Sequence, residues 1–482
     1  MSRPLLCETV SAETTADLRR RRDEARADLV ELRLDSVRDP DVAGALSGRK
    51  SPVIVTCRPT WEGGSFSRPE EDRKRILREA LALGAEYVDI EWHARFTDLI
   101  EAEQGRRVVL SMHSFDGVPS DLSARLSAMR ASGAQVIKMA VTATSLSECA
   151  ALSDFGVQAA GAGALVLIAM GEYGLPTRLL PERFGSSWSY AGSLNGVGQL
   201  TSAAMLDDYR FRTINASTAV YGIVGSSVGH SVSPAMHNAA FRARDIDAIY
   251  IPLPARDVDD FLTFGKALGL KGASVTMPHK VALFDRLDEV YAGARRTRAV
   301  NTVRVEDGRW IGDNTDVGGF LEPLRDRLLS LAGLRVSVLG AGGAARAVAD
   351  ALTSSRCTVR VHARQRERAA EVASLVSAEI GPWPPERGSW DLLVNCTPVG
   401  QTPNDAETPV PMDLIEGGCV YDLVYNPPAT RLLQEAAEMG CQTISGVEML
   451  VAQAQEQFRW WTGTRPPPGV MKNAALKRLA EF

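Results

Sequence analysis

Arg335-Val-Ser-Val-Leu-Gly-Ala-Gly-Gly-Ala-Ala-Arg346 runs a short apolar strand, 335–339, straight into a glycine turn and then into helix formers over 346–352. Gly340, Gly342 and Ala345 give the spacing Gly-x-Gly-x-x-Ala. Between a strand and a helix, that turn lets backbone N–H groups approach a pyrophosphate at the helix N-terminus, the device of a Rossmann-type dinucleotide site. About twenty residues further on, such a site places an acid against the ribose 2′-hydroxyl when the cofactor is NAD. Here the chain reads His362-Ala-Arg-Gln-Arg-Glu-Arg368, so Arg364 and Arg368 predict a 2′-phosphate, and hence NADP.

Working outward, strand-like runs at 358–362, 392–395 and 420–423 continue this unit, expected to span 328–455. A helical segment, 456–482, is expected to pack back on the domain upstream. That domain, 219–327, alternates strands at 219–225, 248–253 and 272–276 with helical stretches at 233–243 and 258–268. Before it, 206–218 turns polar and aperiodic and reads as a linker. Residues 1–205 hold eight short runs rich in Val, Ile and Leu, at 5–10, 28–34, 52–57, 87–92, 107–112, 135–140, 164–170 and 186–191, separated by polar stretches of helical length. Eight βα repeats predict a (β/α)8 barrel, with an open doubly wound sheet as the alternative. The expected architecture is an N-terminal (β/α)8 barrel followed by a two-domain α/β dehydrogenase-like half with a Rossmann-type NADP-binding domain.

A chain of 482 residues exceeds the roughly 250–300 at which one core stops growing. The net charge of −5, with Lys and Arg spread along the chain, lacks the basic block of a nucleic-acid binder. No apolar run reaches the ~18 residues of a membrane span, so a soluble, cytoplasmic protein with no membrane partner is expected. The seven cysteines form no Cys-x-x-Cys pair and the six histidines no ligand-spaced cluster, so neither a disulfide framework nor a metal is implied. Small-molecule partners are expected, and no particular oligomer is implied.

In a barrel the chemistry sits at the C-terminal strand ends. Polar groups finish most of the eight runs: Glu31 and Arg33, Arg58, Asp89 and Glu91, His113, Lys138, and Arg178 in the loop after the seventh. One such residue would read as a rim charge; together they read as a site. Lys138, in Gln-Val-Ile-Lys-Met-Ala-Val, lies on a strand expected to be buried, so it is either paired or has a lowered pKa that makes it an amine nucleophile for Schiff-base chemistry. His113 ends the neighbouring strand and suits proton transfer at neutral pH. Arg58 and Arg178 suit bidentate capture of a carboxylate.

Glu-Leu-Arg-Leu-Asp, Cys-Arg-Pro-Thr-Trp-Glu-Gly-Gly, Asp-Ile-Glu-Trp, Ser-Met-His-Ser-Phe, Ile-Lys-Met-Ala and Gly-Glu-Tyr-Gly-Leu-Pro-Thr-Arg follow one another over residues 4–205. In that order they resemble the motifs of type I 3-dehydroquinate dehydratases. The resemblance implies that Lys138 forms an imine with the substrate ketone, that His113 moves the proton, and that Glu91 orients His113. It also places Glu31, Arg33, Arg58, Arg178 and Gln199 around the substrate. One departure is Asn195, which stands where the family's final loop carries a serine contact.

In the second half, Gly229-His-Ser-Val-Ser-Pro234 sets Ser231 and Ser233 at a helix start, and Val275-Thr-Met-Pro-His-Lys280 sets a lysine just after a strand. Alone these are a helix cap and a solvated lysine. With Asn301 in Ala-Val-Asn-Thr-Val, Asp316 in Gly-Asp-Asn-Thr-Asp, Tyr425 in Tyr-Asp-Leu-Val-Tyr-Asn-Pro and Gln453 in Met-Leu-Val-Ala-Gln, the set resembles shikimate dehydrogenases over 219–482. The resemblance implies that Ser231 and Ser233 bind a carboxylate and that Thr276, Asn301, Tyr425 and Gln453 hold hydroxyls. Lys280 and Asp316 become the proton-transfer pair. Cofactor contacts are expected from Gly340, Ala341, Gly342, Gly343, Ala344, Arg364, Arg368, Leu423 and Gly446. The family's Asn-Arg-Thr appears here as Ala363-Arg364-Gln365, which keeps the charge and loses adenine-side contacts. Together the halves imply dehydration of 3-dehydroquinate and NADPH-dependent reduction of the product to shikimate. The alternatives are a quinate-active dehydrogenase and a catalytically inactive metabolite-sensing regulator.

Overall fold

The computed structural model describes residues 4–193 and 198–481, so Asn195 lies outside the described residues. The chain forms two compact units: residues up to Thr218 with Pro254–Gly269, and Ala219–Leu253 with Leu270–Phe482.

In the first unit, β1 (Leu5–Ser11), β2 (Leu29–Arg33), β3 (Val53–Thr56), β4 (Tyr87–Glu91), β5 (Val108–Ser114), β6 (Val136–Thr142), β7 (Ala164–Met170) and β8 (Trp188–Ala191) form one sheet in the order β7-β6-β5-β4-β3-β2-β1-β8. Each neighbouring pair in that order is parallel. The two ends of that order meet: the Ser187 amide donates to the Leu165 carbonyl at 2.7 Å, and the Leu167 amide donates to Ser186 Oγ at 2.9 Å. A closed parallel sheet is buried on both faces, which is why β7 reads as an unbroken apolar run. Because strand side chains alternate, one inward column can change character along its length. Cys7, Leu29, Ile54, Val109 and Val136 make the apolar inner layer. Two residues further along their strands stand Thr9, Glu31, Thr56, Ser111 and Lys138, which build the site.

The stretch 206–218, expected as a linker, belongs to this unit. Phe211 and Ile214 are buried, and Asp207 pairs with Arg26 at 2.7 Å. Two apolar anchors and an ion pair within one polar stretch suffice to hold it down, and periodicity does not reveal them.

The second unit holds two sheets. In the first, β9 (Ala219–Gly225), β10 (Ala248–Pro254), β11 (Gly272–Val275), β12 (Glu289–Val290), β13 (Thr302–Glu306) and β14 (Arg309–Asp313) follow the order β10-β9-β11-β13-β14-β12. The hairpin β13–β14 turns on Asp307 and Gly308, both with positive φ, the conformation a two-residue hairpin loop prefers. The other sheet is parallel: β15 (Arg335–Leu339), β16 (Thr358–His362), β17 (Glu379–Ile380), β18 (Leu392–Asn395), β19 (Cys419–Asp422) and β20 (Gln442–Ile444), in the order β17-β16-β15-β18-β19-β20.

The domain boundary expected between 455 and 456 falls inside a single helix, Gly446–Thr462. Nothing breaks its helical pattern before Gly463, which takes the left-handed cap at φ +73°. Its later turns and the helix Val470–Leu479 pack through Phe458, Met471 and Ala475 against Tyr221 of β9 and Phe241.

Candidate active sites

Lys138 on β6 is almost fully buried, and its ammonium donates to Glu31 Oε1 at 3.2 Å and Asp89 Oδ2 at 3.1 Å. The Tyr190 ring lies 4.4 Å from Nζ. Of the two options open in the sequence, the structure realises pairing. Each carboxylate is held in turn: Glu31 accepts from Thr9 and Thr56 Oγ1, both at 2.9 Å, and Asp89 accepts from Ser111 Oγ at 2.5 Å and pairs with Arg58 at 3.0 Å. Burial alone would push both acids up in pKa. Lys138 overcomes it at Glu31, and Arg58 with Lys138 overcomes it at Asp89, so both are held below their ordinary range.

Glu91 does not orient His113. One of its oxygens accepts from Arg58 Nη1 at 2.8 Å and the other pairs with the buried Arg73. The contact to His113 comes from Glu62, whose Oε1 accepts the His113 backbone N–H at 3.0 Å and lies 2.9 Å from Nδ1. An oxygen already accepting that amide is placed to accept Nδ1–H as well, which leaves Nε2 with its lone pair. The reason is the path of the loop after β3. Thr60–Glu62 forms a single 3₁₀ turn, Gly63 follows at φ +76°, and a Cβ on Gly64 would sit 2.1 Å from the Arg58 carbonyl. Only a Gly-Gly pair folds back this tightly onto Arg58 and delivers Glu62 to β5. The signal lay in Trp-Glu-Gly-Gly: an acid followed by two glycines.

Burial pushes Glu62 up to about 8, with Glu91 and Asp89 adding to the rise and Arg58 opposing it. His113 is held well below its usual value, by burial first and then by the Arg58 and Lys138 charges. Arg33 pairs bidentately with Asp35 at 2.7 and 2.8 Å. Arg178 is buried, its guanidinium reaching the Tyr190 carbonyl at 3.5 Å, and burial lowers its pKa to about 10. Gln199 is half-buried, with its amide oxygen against Gly192 and Thr9 close by.

In the second unit, Lys280 Nζ donates to Asp316 Oδ2 at 2.5 Å, and Asn301 Nδ2 donates to Asp316 Oδ1 at 2.6 Å. Asn301 is itself fixed: its Oδ1 accepts from the Thr315 amide at 2.8 Å and Thr302 Oγ1 at 2.7 Å. The chain continues through residues the sequence did not single out. Gln457 donates to Thr302 Oγ1 at 2.8 Å and accepts from Ser274 at 2.6 Å, and Ser274 accepts from the Tyr250 hydroxyl at 2.6 Å. Gln457 lies four residues beyond Gln453 and so on the same helix face, the spacing that would have revealed it. Lys280, Asp316 and Asn301 line one cavity of about 180 Å³ together with Ser231, Ser233, Thr276, Tyr425, Gln453 and Gln457. Ala344, Leu423 and Gly446, expected on the cofactor, line it too. Gly343 belongs to the same place, since a Cβ on it would meet Lys280 at 3.1 Å.

Gly340, Ala341, Gly342, Arg364 and Arg368 line a separate groove of about 830 Å³ at the C-terminal ends of the parallel strands. Gly342 caps the helix Gly343–Ser354, and where its Cβ would stand there is open space. Arg364 and Arg368 are exposed beside it. An open helix N-terminus and two exposed guanidinium groups on one groove fit an extended dinucleotide bearing an extra phosphate.

The family model for type I 3-dehydroquinase matches residues 6–216, the shikimate dehydrogenase substrate-binding domain matches 223–303, and the shikimate 5′-dehydrogenase C-terminal domain matches 446–476. The chain is 35% identical over 481 residues to a bifunctional 3-dehydroquinate dehydratase/shikimate dehydrogenase, chloroplastic, of Arabidopsis thaliana, covering 92% of this chain and 79% of that one. It is 41% identical over 273 residues to a shikimate dehydrogenase (NADP(+)) of Shouchella clausii, covering 54% of this chain and 99% of that one. Among solved structures, a Thermus thermophilus shikimate 5-dehydrogenase in complex with NADP(H) and shikimate matches with a TM-score of 0.51 at 37% identity, covering 54% of this chain and 99% of that chain. With the Arabidopsis thaliana relative 35% identical over 92% of the chain and 79% of its own length, the chain belongs to the family of bifunctional 3-dehydroquinate dehydratases/shikimate dehydrogenases.

Proposed function

We propose that this chain dehydrates 3-dehydroquinate in its barrel and reduces the resulting 3-dehydroshikimate to shikimate with NADPH in its second unit. The observation that carries the reading is that each unit assembles its own proton-transfer set: Lys138 with His113 and Glu62, and Lys280 with Asp316.

In the barrel, the Lys138 ammonium gives up a proton, the amine attacks the substrate ketone, and that proton leaves on the departing water as the protonated imine forms, with Glu31 and Asp89 remaining as its counter-charges. The imine draws electrons from the adjacent C–H bond. His113 Nε2 takes that proton, and Glu62 stabilises the imidazolium through Nδ1. The imidazolium then returns the proton to the departing hydroxyl, and hydrolysis of the imine restores the lysine. Arg178 suits the substrate carboxylate, because a guanidinium whose charge is disfavoured by burial gains most from an anion. Arg58, expected on a carboxylate, already pairs with Asp89 and Glu91, so it is assigned with Arg33, Glu31 and Gln199 to the ring hydroxyls.

In the second unit Ser231 and Ser233 hold the carboxylate at the start of the helix Ser233–Ala243. Thr276, Asn301, Tyr425 and Gln453 hold the hydroxyls. NADPH supplies a hydride when bound. Lys280 gives a proton to the oxygen on which negative charge develops, and Asp316 aims it. The seven free cysteines suit a reducing compartment, and we place the chain in the cytoplasm. Among the described residues no helix is long and apolar enough to cross a membrane.

The test is a coupled assay of the full chain with 3-dehydroquinate and NADPH. Cofactor oxidation matching substrate consumption is expected. Oxidation only when 3-dehydroshikimate is supplied removes the first assignment, and none with either substrate removes the second. Borohydride added with 3-dehydroquinate should leave a ligand adduct on the peptide containing Lys138; dehydration without that adduct sinks the imine.

A further inference from the structure

The groove lined by Arg364 and Arg368 also contains an aromatic side chain. Trp383 is half-buried and lines the same groove as Gly340, Arg364 and Arg368. Its place is fixed by the short edge strand β17, which pairs in parallel with β16 through Val361 and Ile380. Immediately after β17 the Gly381 amide donates to the Val361 carbonyl at 3.0 Å, and the His362 ring fills the space where a Cβ on Gly381 would stand. His362 Nδ1 lies 2.5 Å from the Pro382 carbonyl and Nε2 lies 3.1 Å from Ser337 Oγ. A carbonyl only accepts, so Nδ1 carries the proton, and the imidazole ties the loop bearing Trp383 to the end of β16. Ala363 and Arg364 are the next two residues.

We infer that Trp383 is the stacking wall for the adenine ring of the cofactor. The inference rests on the NADP reading and adds to it the group that recognises the base. Adenine and the 2′-phosphate hang from one ribose, so residues gripping that phosphate have the base within one sugar's reach. Ala363 offers the base no hydrogen-bonding side chain, and Arg364 is assigned to the phosphate. An indole face, with a large apolar surface and few rotatable bonds, recognises a purine without hydrogen bonds.

The experiment uses the full chain as wild type, Trp383→Ala and Trp383→Phe, with adenosine 2′,5′-bisphosphate as the probe for the adenine end and reduced nicotinamide mononucleotide as a probe lacking it. Calorimetric dissociation constants for the bisphosphate and for NADPH should weaken about tenfold to a hundredfold in Trp383→Ala. Trp383→Phe should restore most of the loss, and binding of the mononucleotide and of shikimate should not change. In the wild type the bisphosphate should quench part of the tryptophan fluorescence, and Trp383→Phe should lose that part while still binding. An unchanged bisphosphate affinity in Trp383→Ala, or the same quenching in Trp383→Phe, overturns the inference. If Trp383→Ala does not fold, the Trp383→Phe quenching decides alone. Failure of the wild type to bind the bisphosphate at all would instead overturn the NADP reading, so the two failures are distinguishable.

Discussion

Lys138 and Lys280 are both amines held by carboxylates, but the two sites surround them with different kinds of polar group. Around Lys138 the buried partners are themselves charged: Glu31, Asp89 and Glu91 face Lys138, Arg58 and Arg73. Around Lys280 the ionic part ends at Asp316, and the network then runs through neutral groups, Asn301, Thr302, Gln457, Ser274 and Tyr250. The difference follows the chemistry proposed for each. An amine that becomes an imine must lose a proton while buried, and a balanced set of fixed charges keeps that change tolerable. A lysine that delivers a proton needs only to be aimed, and a neutral hydrogen-bond chain aims it without adding buried charge.

The largest effects should come from exchanging the two lysines' roles for none. Lys138→Ala is expected to abolish dehydration while reduction of supplied 3-dehydroshikimate continues at the wild-type rate. Lys280→Ala should lower the kcat of reduction by about 10²–10⁴-fold and leave dehydration intact. Loss of both activities in either folded variant, measured in separate assays, would break the comparison at its root.

Next in size is Glu62. Its carboxyl is pushed up to about 8, so below that pH it is mainly protonated and gives the His113 imidazolium less support. His113 is held well below its ordinary value by burial and by the Arg58 and Lys138 charges, so the limb near pH 8 belongs to Glu62. The kcat/KM of dehydration should therefore climb as pH rises toward about 8 and level off above it. Glu62→Gln should cost about 10²-fold and flatten that limb, since an amide does not titrate there. Glu91→Gln should keep the limb. If Glu91→Gln removes it and Glu62→Gln does not, the pairing seen at His113 is not the one that serves catalysis.

These residues also mark how far the sequence could be read. The barrel and its polar strand ends were legible because a closed parallel sheet has one inward column per strand, and the polar residues in that column had nowhere to point but the site. Lys138, Glu31 and Asp89 are of this kind. Glu62 was not, because it reaches the site on a loop whose course is set by the backbone at Gly63 and Gly64, and no strand period registers it. The assignment to Glu91 failed for the complementary reason: a strand-end acid next to His113 in sheet order turned out to be enclosed by Arg58 and Arg73. The β13–β14 hairpin was missed although Asp307-Gly308 is the dipeptide such a turn favours. Phe211 and Ile214 were invisible in a polar stretch because two anchors make no period.

Arg73 tests whether the ionic character of the barrel site matters for its integrity. It is fully buried, pairs with Glu91, and lies 4.7 Å over the Phe96 ring. Removing one partner of a buried pair typically costs about 3–5 kcal/mol. Arg73→Met should fall near the lower end, because Glu91 keeps Arg58. The urea midpoint for loss of dehydratase activity should drop, and the midpoint for loss of dehydrogenase activity should stay. Arg73→Met with Glu91→Gln should recover much of the loss. An equal fall in both midpoints would mean that the two units do not unfold independently.

The smallest effect expected is at Arg364, where the comparison turns from buried to exposed charge. Arg364 and Arg368 lie four residues apart, Arg368 on the helix Arg366–Val376 and Arg364 just before it, and both line the cofactor groove. A charge-assisted hydrogen bond to a phosphate is worth about 1.5–3 kcal/mol when sheltered. Here both guanidinium groups face solvent, so water and salt weaken the contact and the remaining arginine compensates in part. Arg364→Ala should therefore reduce kcat/KM for NADPH about tenfold and leave NADH almost unchanged, since NADH has no 2′-phosphate to lose. Raising ionic strength should shrink the wild-type preference for NADPH in the same direction, because the contact it rests on is exposed, while the rate of dehydration in the barrel should respond far less. An NADPH-to-NADH ratio that neither substitution nor salt moves would place the discrimination elsewhere in the groove, and a wild type that prefers NADH would remove the 2′-phosphate from the reading of this basic pair.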